Sequence, residues 1–184
     1  EPWAYRNKMQ MPVGGTKGDI QMGFYAMGSH DIVQGTNCPI QDEGNNIIAQ
    51  ACYQIAKEFD IEPYDEHTGK GVLRHIIGRI GQSGWMIILV TATQQLPHKE
   101  KWVEKLTERI SQVETIVHNV NGKRTNVILG PKNNILYGNG TITDHIKDLQ
   151  FTLSPHSFFQ VNPEQTTVLY DQALAYADLK GDET

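Results

Sequence analysis

The sequence has 184 residues, and its 16 lysines and arginines against 21 aspartates and glutamates give a formal net charge of −5. Hydrophobic residues make up 39% of it, which is typical of a globular protein with a buried core. No apolar run approaches the about 18 residues of a membrane span, the N-terminal stretch lacks the apolar region of a signal peptide, and the acidic total disfavours a dedicated nucleic-acid binder. Two cysteines cannot make a disulfide framework, so the expected compartment is the reducing cytoplasm.

Two β-hairpins and one helix are predicted in the first half of the chain. Aromatic and methionine-rich runs at 3–13 and 20–28 flank a glycine-containing loop and predict the first hairpin. Residues 44–60 carry apolar side chains at helical spacing and predict an amphipathic helix. Apolar runs at 72–80 and 85–93 predict the second hairpin, and the second run does not alternate, so we expect a central strand covered on both faces.

The second half of the chain predicts a helix, several short strands and a final helix. Pro97 opens a helix whose apolar stripe continues to about Val113. Strand patterns follow at 115–118, 127–129, 135–137, 141–143 and 149–153. Asn162 as N-cap and Pro163 at the first helical position predict a last helix that ends near Ala177.

The order of these elements predicts an α+β fold, with an antiparallel sheet backed by two helices. Residues 158–162 are expected to be extended and to lead directly into the last helix. The chain begins at Glu1 rather than at methionine and stops just after a helical pattern, so we expect both ends to be cuts in a longer protein.

The basic residues gather in the middle of the chain, where residues 67–132 hold ten bases and four acids. Those on the predicted helix alternate with glutamates, which indicates a solvated face. The other bases are less compensated by neighbours and are candidates for contact with RNA phosphates. An aromatic and cationic set on the first strand is a second candidate for RNA contact. The candidates are Tyr5, Arg6, Lys8, Arg74, Arg79, Lys123 and Arg124.

No motif in the sequence forms a self-contained catalytic or metal site. The seven histidines are scattered and include no close pair of the kind that binds zinc. Cys52 lies on the apolar face of the first helix and is expected to be a small buried residue. Cys38 precedes a proline in a loop, so it is either a plain loop cysteine or one ligand of an iron–sulfur cluster; the residues alone favour the first.

Four segments, taken in order, resemble one protein family. They are YRNKMQMPVG at 5–14, FYAMGSHDIVQGTNCPIQ at 24–41, SPHSFFQVNPEQ at 154–165 and VLYDQALAYADL at 168–179. Together they resemble the central part of an RNA (uracil-5-)-methyltransferase of the bacterial 23S rRNA type, which uses S-adenosylmethionine. The resemblance covers almost the whole chain.

The resemblance implies a longer parent protein with three parts: an OB-like RNA-binding domain, this central α+β domain and a Rossmann-like methyltransferase domain. Residues 1–157 correspond to the central domain. Residues 158–184 correspond to the first strand and helix of the methyltransferase domain, which is truncated here. The implied partner is 23S rRNA, with neither DNA nor a membrane.

The resemblance also implies roles for single residues. Cys38 matches the fourth ligand of a [4Fe–4S] cluster in the parent; its three partners are missing, so a free thiol without a cluster is expected here. Gln160 matches a residue that contacts S-adenosylmethionine, and Phe158 lies where it can pack beside the target base. The family's nucleophile and base lie beyond Thr184, so no catalytic residue is predicted in this chain.

The leading hypothesis is therefore a catalytically incomplete part of an enzyme that makes 5-methyluridine in 23S rRNA. On this hypothesis the chain helps to position folded RNA. Two alternatives remain at the level of sequence. One is a stand-alone RNA-binding module without enzyme activity, and the other is a protein-interaction domain.

Overall fold

The structure is a computed structural model that describes residues 2–178, and these residues form nine strands and three helices. The strands are β1 (Lys8–Thr16), β2 (Asp19–Tyr25), β3 (Ile32–Gln34), β4 (Leu73–Ile80), β5 (Trp85–Thr91), β6 (Val113–Val120), β7 (Lys132–Tyr137), β8 (Ile142–Ile146) and β9 (Leu149–Leu153). The helices are α1 (Glu43–Glu58), α2 (Lys99–Arg109) and α3 (Pro163–Ala177). None of the helices in the described part of the chain combines the length and apolar character needed to cross a membrane.

Seven of these strands form one sheet, in the order β3-β2-β1-β4-β5-β6-β7. Most neighbouring strands are antiparallel, as predicted. The pair β5–β6 is parallel, so the prediction of a purely antiparallel sheet is wrong at this position. The reason is α2, which carries the chain back to the starting end of β5 before β6 begins.

The sheet is covered on both faces. On one face α1 and α2 bury a large apolar cluster that includes Met11, Ile87 and Trp102. On the other face a smaller cluster contains Ile88 of β5 together with Leu153 of the β8–β9 hairpin. Strand β5 contributes to both clusters and is buried along almost its whole length, as its unbroken apolar run predicts.

Helix α1 lies close against β4. Its N-cap is Asp42, whose side chain accepts a hydrogen bond of 2.8 Å from the main-chain N–H of Gly44. A Cβ atom at Gly78 of β4 would collide with Oδ1 of Asn45, so only glycine allows the first turn of α1 to approach this strand. The helix thereby fixes the loop that precedes it, which contains Cys38.

The start of α3 agrees with the prediction. Oδ1 of Asn162 accepts a hydrogen bond of 3.1 Å from the main-chain N–H of Gln165, and Pro163 occupies the first turn. The helix contacts β8 and leaves several large apolar side chains exposed to solvent. These side chains are Val168, Leu169, Tyr170, Leu174 and Tyr176. Residues 179–184, which complete the predicted second unit, lie outside the described residues.

Three short segments differ from the predictions. Residues 127–129 are irregular, because Nδ2 of Asn121 donates to the carbonyls of Val127 and Ile128 at 2.6 and 3.0 Å in place of a strand partner. Strand β3 was not predicted, since three residues are too few to show a pattern. Residues 158–162 lead into α3 without forming a regular strand.

Candidate functional site

The start of β1 lies beside the segment that leads into α3. The main-chain N–H of Asn7 donates to the carbonyl of Val161 at 2.9 Å, and the carbonyl of Asn7 accepts from the N–H of Ile80 at 2.8 Å. The structure therefore brings two predicted groups together. The aromatic and cationic residues Tyr5, Arg6 and Lys8 are next to the segment that carries Phe158 and Gln160. We call these five residues the β1 surface.

Lys8 is the electrostatically perturbed member of the β1 surface. Its register partner in the sheet is Arg79, and Nε of Arg6 donates to the main-chain carbonyl of Lys8 at 3.0 Å. Burial lowers the pKa of Lys8 to about 8, with further contributions from the positive charges of Arg79 and Arg6. An RNA phosphate beside Lys8 would compensate this repulsion and favour its charged form.

Phe158 and Gln160 differ in exposure. The side chain of Phe158 is 85% exposed, whereas Gln160 is half-buried. The intervening Phe159 packs against the smaller apolar cluster, with its ring centroid 5.5 Å from that of Phe151. Phe159 is therefore part of the core, and Phe158 is available to stack on an RNA base. Gln160 offers one amide, which does not form a cofactor site alone.

Arg79 was predicted to contact RNA, but the structure places it inside the fold. The residue is 4% exposed, and Nη2 donates to the carbonyls of Ser157 and Pro155, the second at 3.5 Å. Burial lowers the pKa of its guanidinium. Arg79 thus connects β4 to the segment that leads to Phe158 and Gln160, and we assign it a positioning role.

Arg74 has a similar internal position. It is 4% exposed, and Nη1 donates to the carbonyls of Asn121 and Lys123 at 2.6 and 2.7 Å. Its guanidinium carbon lies 4.4 Å from the ring centroid of Tyr64, a cation–π contact. Arg74 therefore holds the 121–125 loop, on which Lys123 and Arg124 are exposed to solvent.

Cys38 is half-buried and unpaired in the loop before α1. Asn46 of α1 holds both main-chain groups of Cys38: Oδ1 accepts from its N–H at 3.0 Å, and Nδ2 donates to its carbonyl at 3.3 Å. Cys52 is fully buried in α1, as predicted, and burial raises the pKa of its thiol. In residues 2–178 no three His, Cys, Asp or Glu side chains are grouped to bind a metal ion, so these residues do not fit a cluster by themselves.

A polar cavity that the sequence did not predict lies against β1, β2, β3 and the loop before β4. Its volume is about 210 Å³, and its walls include Tyr25, His30, Glu66, Arg74 and His75. We call it the loop pocket. Nδ1 of His30 lies 2.6 Å from Oε2 of Glu66, and the hydroxyl of Tyr25 donates to Oε1 at 3.4 Å. The rings of Tyr25 and His30 are stacked, with centroids 4.8 Å apart.

Burial and neighbouring charges determine which side chains of the loop pocket are protonated. The hydrogen bond from His30 holds the pKa of Glu66 below its usual value, so Glu66 is a carboxylate. Burial, together with the Glu66 charge, raises the pKa of Tyr25 to about 12 and keeps the phenol protonated. Burial, together with the Arg74 charge, lowers the pKa of His75 to about 4, so His75 is neutral near pH 7.

No sequence signal marks the loop pocket. Tyr25 and His30 lie in one hairpin, while Glu66 and His75 are about forty residues further along the chain. The spacing of the histidines in the sequence indicates no close metal pair. The pairing of β1 with both β2 and β4 brings these residues together.

Replacing His75 with glutamine should reduce the loss of stability that acidification causes between about pH 6.5 and pH 4. The pKa of His75 is lowered in the folded state, so in this window the unfolded chain binds about one more proton, and stability falls as the pH falls. The slope of unfolding free energy against pH, measured by urea denaturation, checks this. The exposed His156 provides the control, since His156→Gln should leave the slope unchanged. An unchanged slope for His75→Gln would contradict the prediction.

Sequence comparisons show that the chain is similar to proteins named RNA methyltransferases. No protein-family model matches the chain. The chain is 46% identical, over 185 residues, to a Bacillus cereus protein named an uncharacterized RNA methyltransferase, and 47% identical, over 186 residues, to a protein of the same description from Halalkalibacterium halodurans. The matches cover 100% of this chain and 40% and 41% of the relatives. The chain therefore spans about two fifths of the length of these curated relatives.

A structural comparison finds the same fold in a solved enzyme. The Pyrococcus abyssi tRNA (uracil-54, C5)-methyltransferase, in complex with S-adenosyl-L-homocysteine, matches with a TM-score of 0.76 and 21% sequence identity. The match covers 95% of this chain and 41% of that enzyme. Because nearly half of its residues are identical to those of the curated relatives along its entire length, the chain belongs to the RNA methyltransferase family, which confirms the resemblance seen in its motifs.

Proposed function

We propose that the chain is the central part of an S-adenosylmethionine-dependent RNA (uracil-5-)-methyltransferase that makes 5-methyluridine in 23S rRNA. The observation that carries this proposal is the match to RNA methyltransferases along the whole chain. The fold shared with a uracil-C5 methyltransferase supports uracil as the target and S-adenosylmethionine as the methyl donor. The choice of 23S rRNA rests on the family resemblance of the motifs, and a reducing cytoplasm is the compartment that suits two free cysteines.

The proposal divides the chain into a central domain, residues 1–157, and the edge of a methyltransferase domain, residues 158–184. The exposed apolar side chains of α3 support this division. A helix that belongs to the domain described here would bury such side chains against the sheet, whereas α3 contacts mainly β8. We propose that these side chains pack in the methyltransferase domain of the longer protein.

The RNA is proposed to lie across two regions, one partly exposed and one exposed. One is the β1 surface, where Tyr5, Arg6 and Lys8 accompany Phe158 and Gln160. The other is the 121–125 loop, where Lys123 and Arg124 are exposed. Arg74 and Arg79 are buried beneath these regions and position them, since their donors bind main-chain carbonyls.

The chain's own residues would bind and orient the substrate rather than react with it. Phe158 would stack beside the target base, and the Gln160 amide can donate to the cofactor or to the uracil edge and accept from it. The bound cofactor would supply the methyl group. Cys38 is proposed as the fourth ligand of a [4Fe–4S] cluster in the longer protein only, and its loop is already held by Asn46.

RNA affinity of the 184-residue chain should fall steeply with salt, because phosphate contacts release counterions. In filter binding with a 23S rRNA fragment, log K should fall linearly with log salt between about 50 and 200 mM. The double variant Lys123→Gln, Arg124→Gln should reduce the slope by about two, since each lost phosphate contact removes about one.

Helix α2 offers a matched control for the Lys123, Arg124 double variant. Lys99 and Lys101 are exposed and interleaved with glutamates, so Lys99→Gln, Lys101→Gln should leave the slope unchanged. Equal slopes for wild type and the Lys123, Arg124 variant would remove the 121–125 loop from the RNA surface. A chain without RNA affinity would favour a protein-interaction domain.

A further inference from the structure

The loop pocket has aromatic side chains in its lining, and its volume of about 210 Å³ is large enough for one planar ring. The stacked rings of Tyr25 and His30 lie at its wall, at an interplanar angle of 19°. Both side chains are partly exposed, so a ligand ring can reach this wall from solvent. Unpaired bases of single-stranded RNA bind proteins by stacking on aromatic side chains in this way.

The chemistry at the centre of the loop pocket favours a ligand edge rich in N–H donors. The Glu66 side chain is 42% exposed, and its carboxylate has about four lone-pair positions, of which His30 and Tyr25 occupy two. The remaining positions can accept two hydrogen bonds. Guanine carries two adjacent N–H donors on its Watson–Crick edge, whereas uracil has one N–H between two carbonyl acceptors.

Two buried side chains of the same pocket can donate hydrogen bonds to the acceptor atoms of the same base. His75 is 6% exposed and lines the pocket, and its Nδ1 atom has no partner among residues 2–178. Nε of Arg74 is also without a partner among those residues. O6 and N7 of guanine are hydrogen-bond acceptors, which match an N–H of either group.

The charges in and near the loop pocket favour different positions for the base and the phosphate of a nucleotide. Asp31 and Asp65 line the pocket with Glu66, so the interior repels a phosphate group. Arg124 is bound to two residues of the pocket lining, since its Nη2 donates to the carbonyls of Glu66, at 3.3 Å, and of His67. A nucleotide that places its base inside can therefore leave its phosphate near this cation.

We propose that the loop pocket binds an unstacked guanine of the RNA substrate, with Tyr25 as the stacking surface and Glu66 as the acceptor for the N1–H and N2–H donors. This inference rests on the proposed RNA function. It adds a second base contact to the one proposed for Phe158 and Gln160, next to the 121–125 loop, which is proposed to hold RNA by its phosphates.

Fluorescence anisotropy of the 184-residue chain with labelled oligouridylates tests this proposal. Three probes of equal length are needed: one with a single central guanine, one with a single central adenine, and one with uridine only. The guanine probe should bind about tenfold more tightly than the other two, since a good two-bond pair contributes about 1–3 kcal/mol to discrimination. Glu66→Gln should abolish this preference, because the amide replaces one acceptor with a donor.

Two matched variants separate base recognition from charge and folding. Glu62→Gln removes the same charge from an exposed carboxylate of the same loop that is absent from the pocket lining, so it should keep the preference. Tyr25→Leu should weaken binding of the guanine probe, and Tyr25→Phe, which retains the ring, should restore it.

The two proposals fail in different ways. If all three oligonucleotides bind with equal affinity, or if Glu66→Gln retains the guanine preference, the guanine pocket is overturned while RNA binding stands. If none of the oligonucleotides binds at low salt, the proposed RNA function fails as well. A guanine preference that is lost in both Glu66→Gln and Glu62→Gln also overturns the pocket, because it would reflect charge alone.

Discussion

Replacing Arg79 with alanine should lower the free energy of unfolding by about 3 kcal/mol. Arg79 is buried, and removal of its side chain leaves the carbonyls of Ser157 and Pro155 without their donor in a largely buried site. Urea denaturation measures the change. Hydrogen exchange should also become faster in residues 154–161, because this segment loses its connection to β4.

Arg109→Ala is the matched control for this prediction. Arg109 is partly exposed at the end of α2, where its guanidinium lies 3.6 Å from Glu58, and such surface ion pairs contribute less than about 1 kcal/mol. If Arg79→Ala were no more destabilising than Arg109→Ala, the positioning role of Arg79 would be wrong. A uniform rise in exchange across the sheet would likewise contradict a local connection.

The second large effect concerns activity. With labelled S-adenosylmethionine and 23S rRNA, the 184-residue chain should transfer no methyl group, whereas the longer protein proposed above should be active. The proposed reason is that the family's nucleophile and base lie beyond Thr184. Scintillation counting of the recovered rRNA measures the transfer, and turnover by the 184-residue chain would refute the proposed division of labour.

The longer protein also tests Gln160. Gln160→Ala should lower kcat/KM by about tenfold, the effect of one lost hydrogen bond to a polar ligand. Gln165→Ala is the control, since Gln165 is exposed in the first turn of α3. If the longer protein binds rRNA but transfers no methyl group under any condition, the chain is better described as an RNA-binding module.

The parts of the fold that depend on local signals can be predicted from the sequence. The N-cap of α3 is such a case, because the capping bond joins Asn162 to Gln165, only three residues later, and Pro163 lies between them. The direction of β6 is not determined by a local sequence signal. Its apolar residues suit either orientation, and the path of α2 decides that β5 and β6 run parallel.

The two buried arginines show why the candidate site was harder to predict. Arg74 and Arg79 have few acidic neighbours in sequence, which is also the pattern of a phosphate-binding residue. Their acceptors are main-chain carbonyls, located 47 or more residues away for Arg74 and 76 or more for Arg79. Carbonyl acceptors have no side-chain signature, so only the folded chain distinguishes the two roles.

The two hydrogen bonds between Asn46 and the main chain of Cys38 affect the entropy cost of binding a ligand at this thiol. A loop cysteine ordinarily loses backbone entropy when it is captured, at about 1–2 kcal/mol for each residue that becomes ordered. Here both main-chain groups of Cys38 are already bound to a residue of α1, so that entropy is lost when the domain folds. The main chain that carries the thiol is thus preorganised, and we expect the affinity of the thiol for a ligand to depend on the integrity of the first turn of α1.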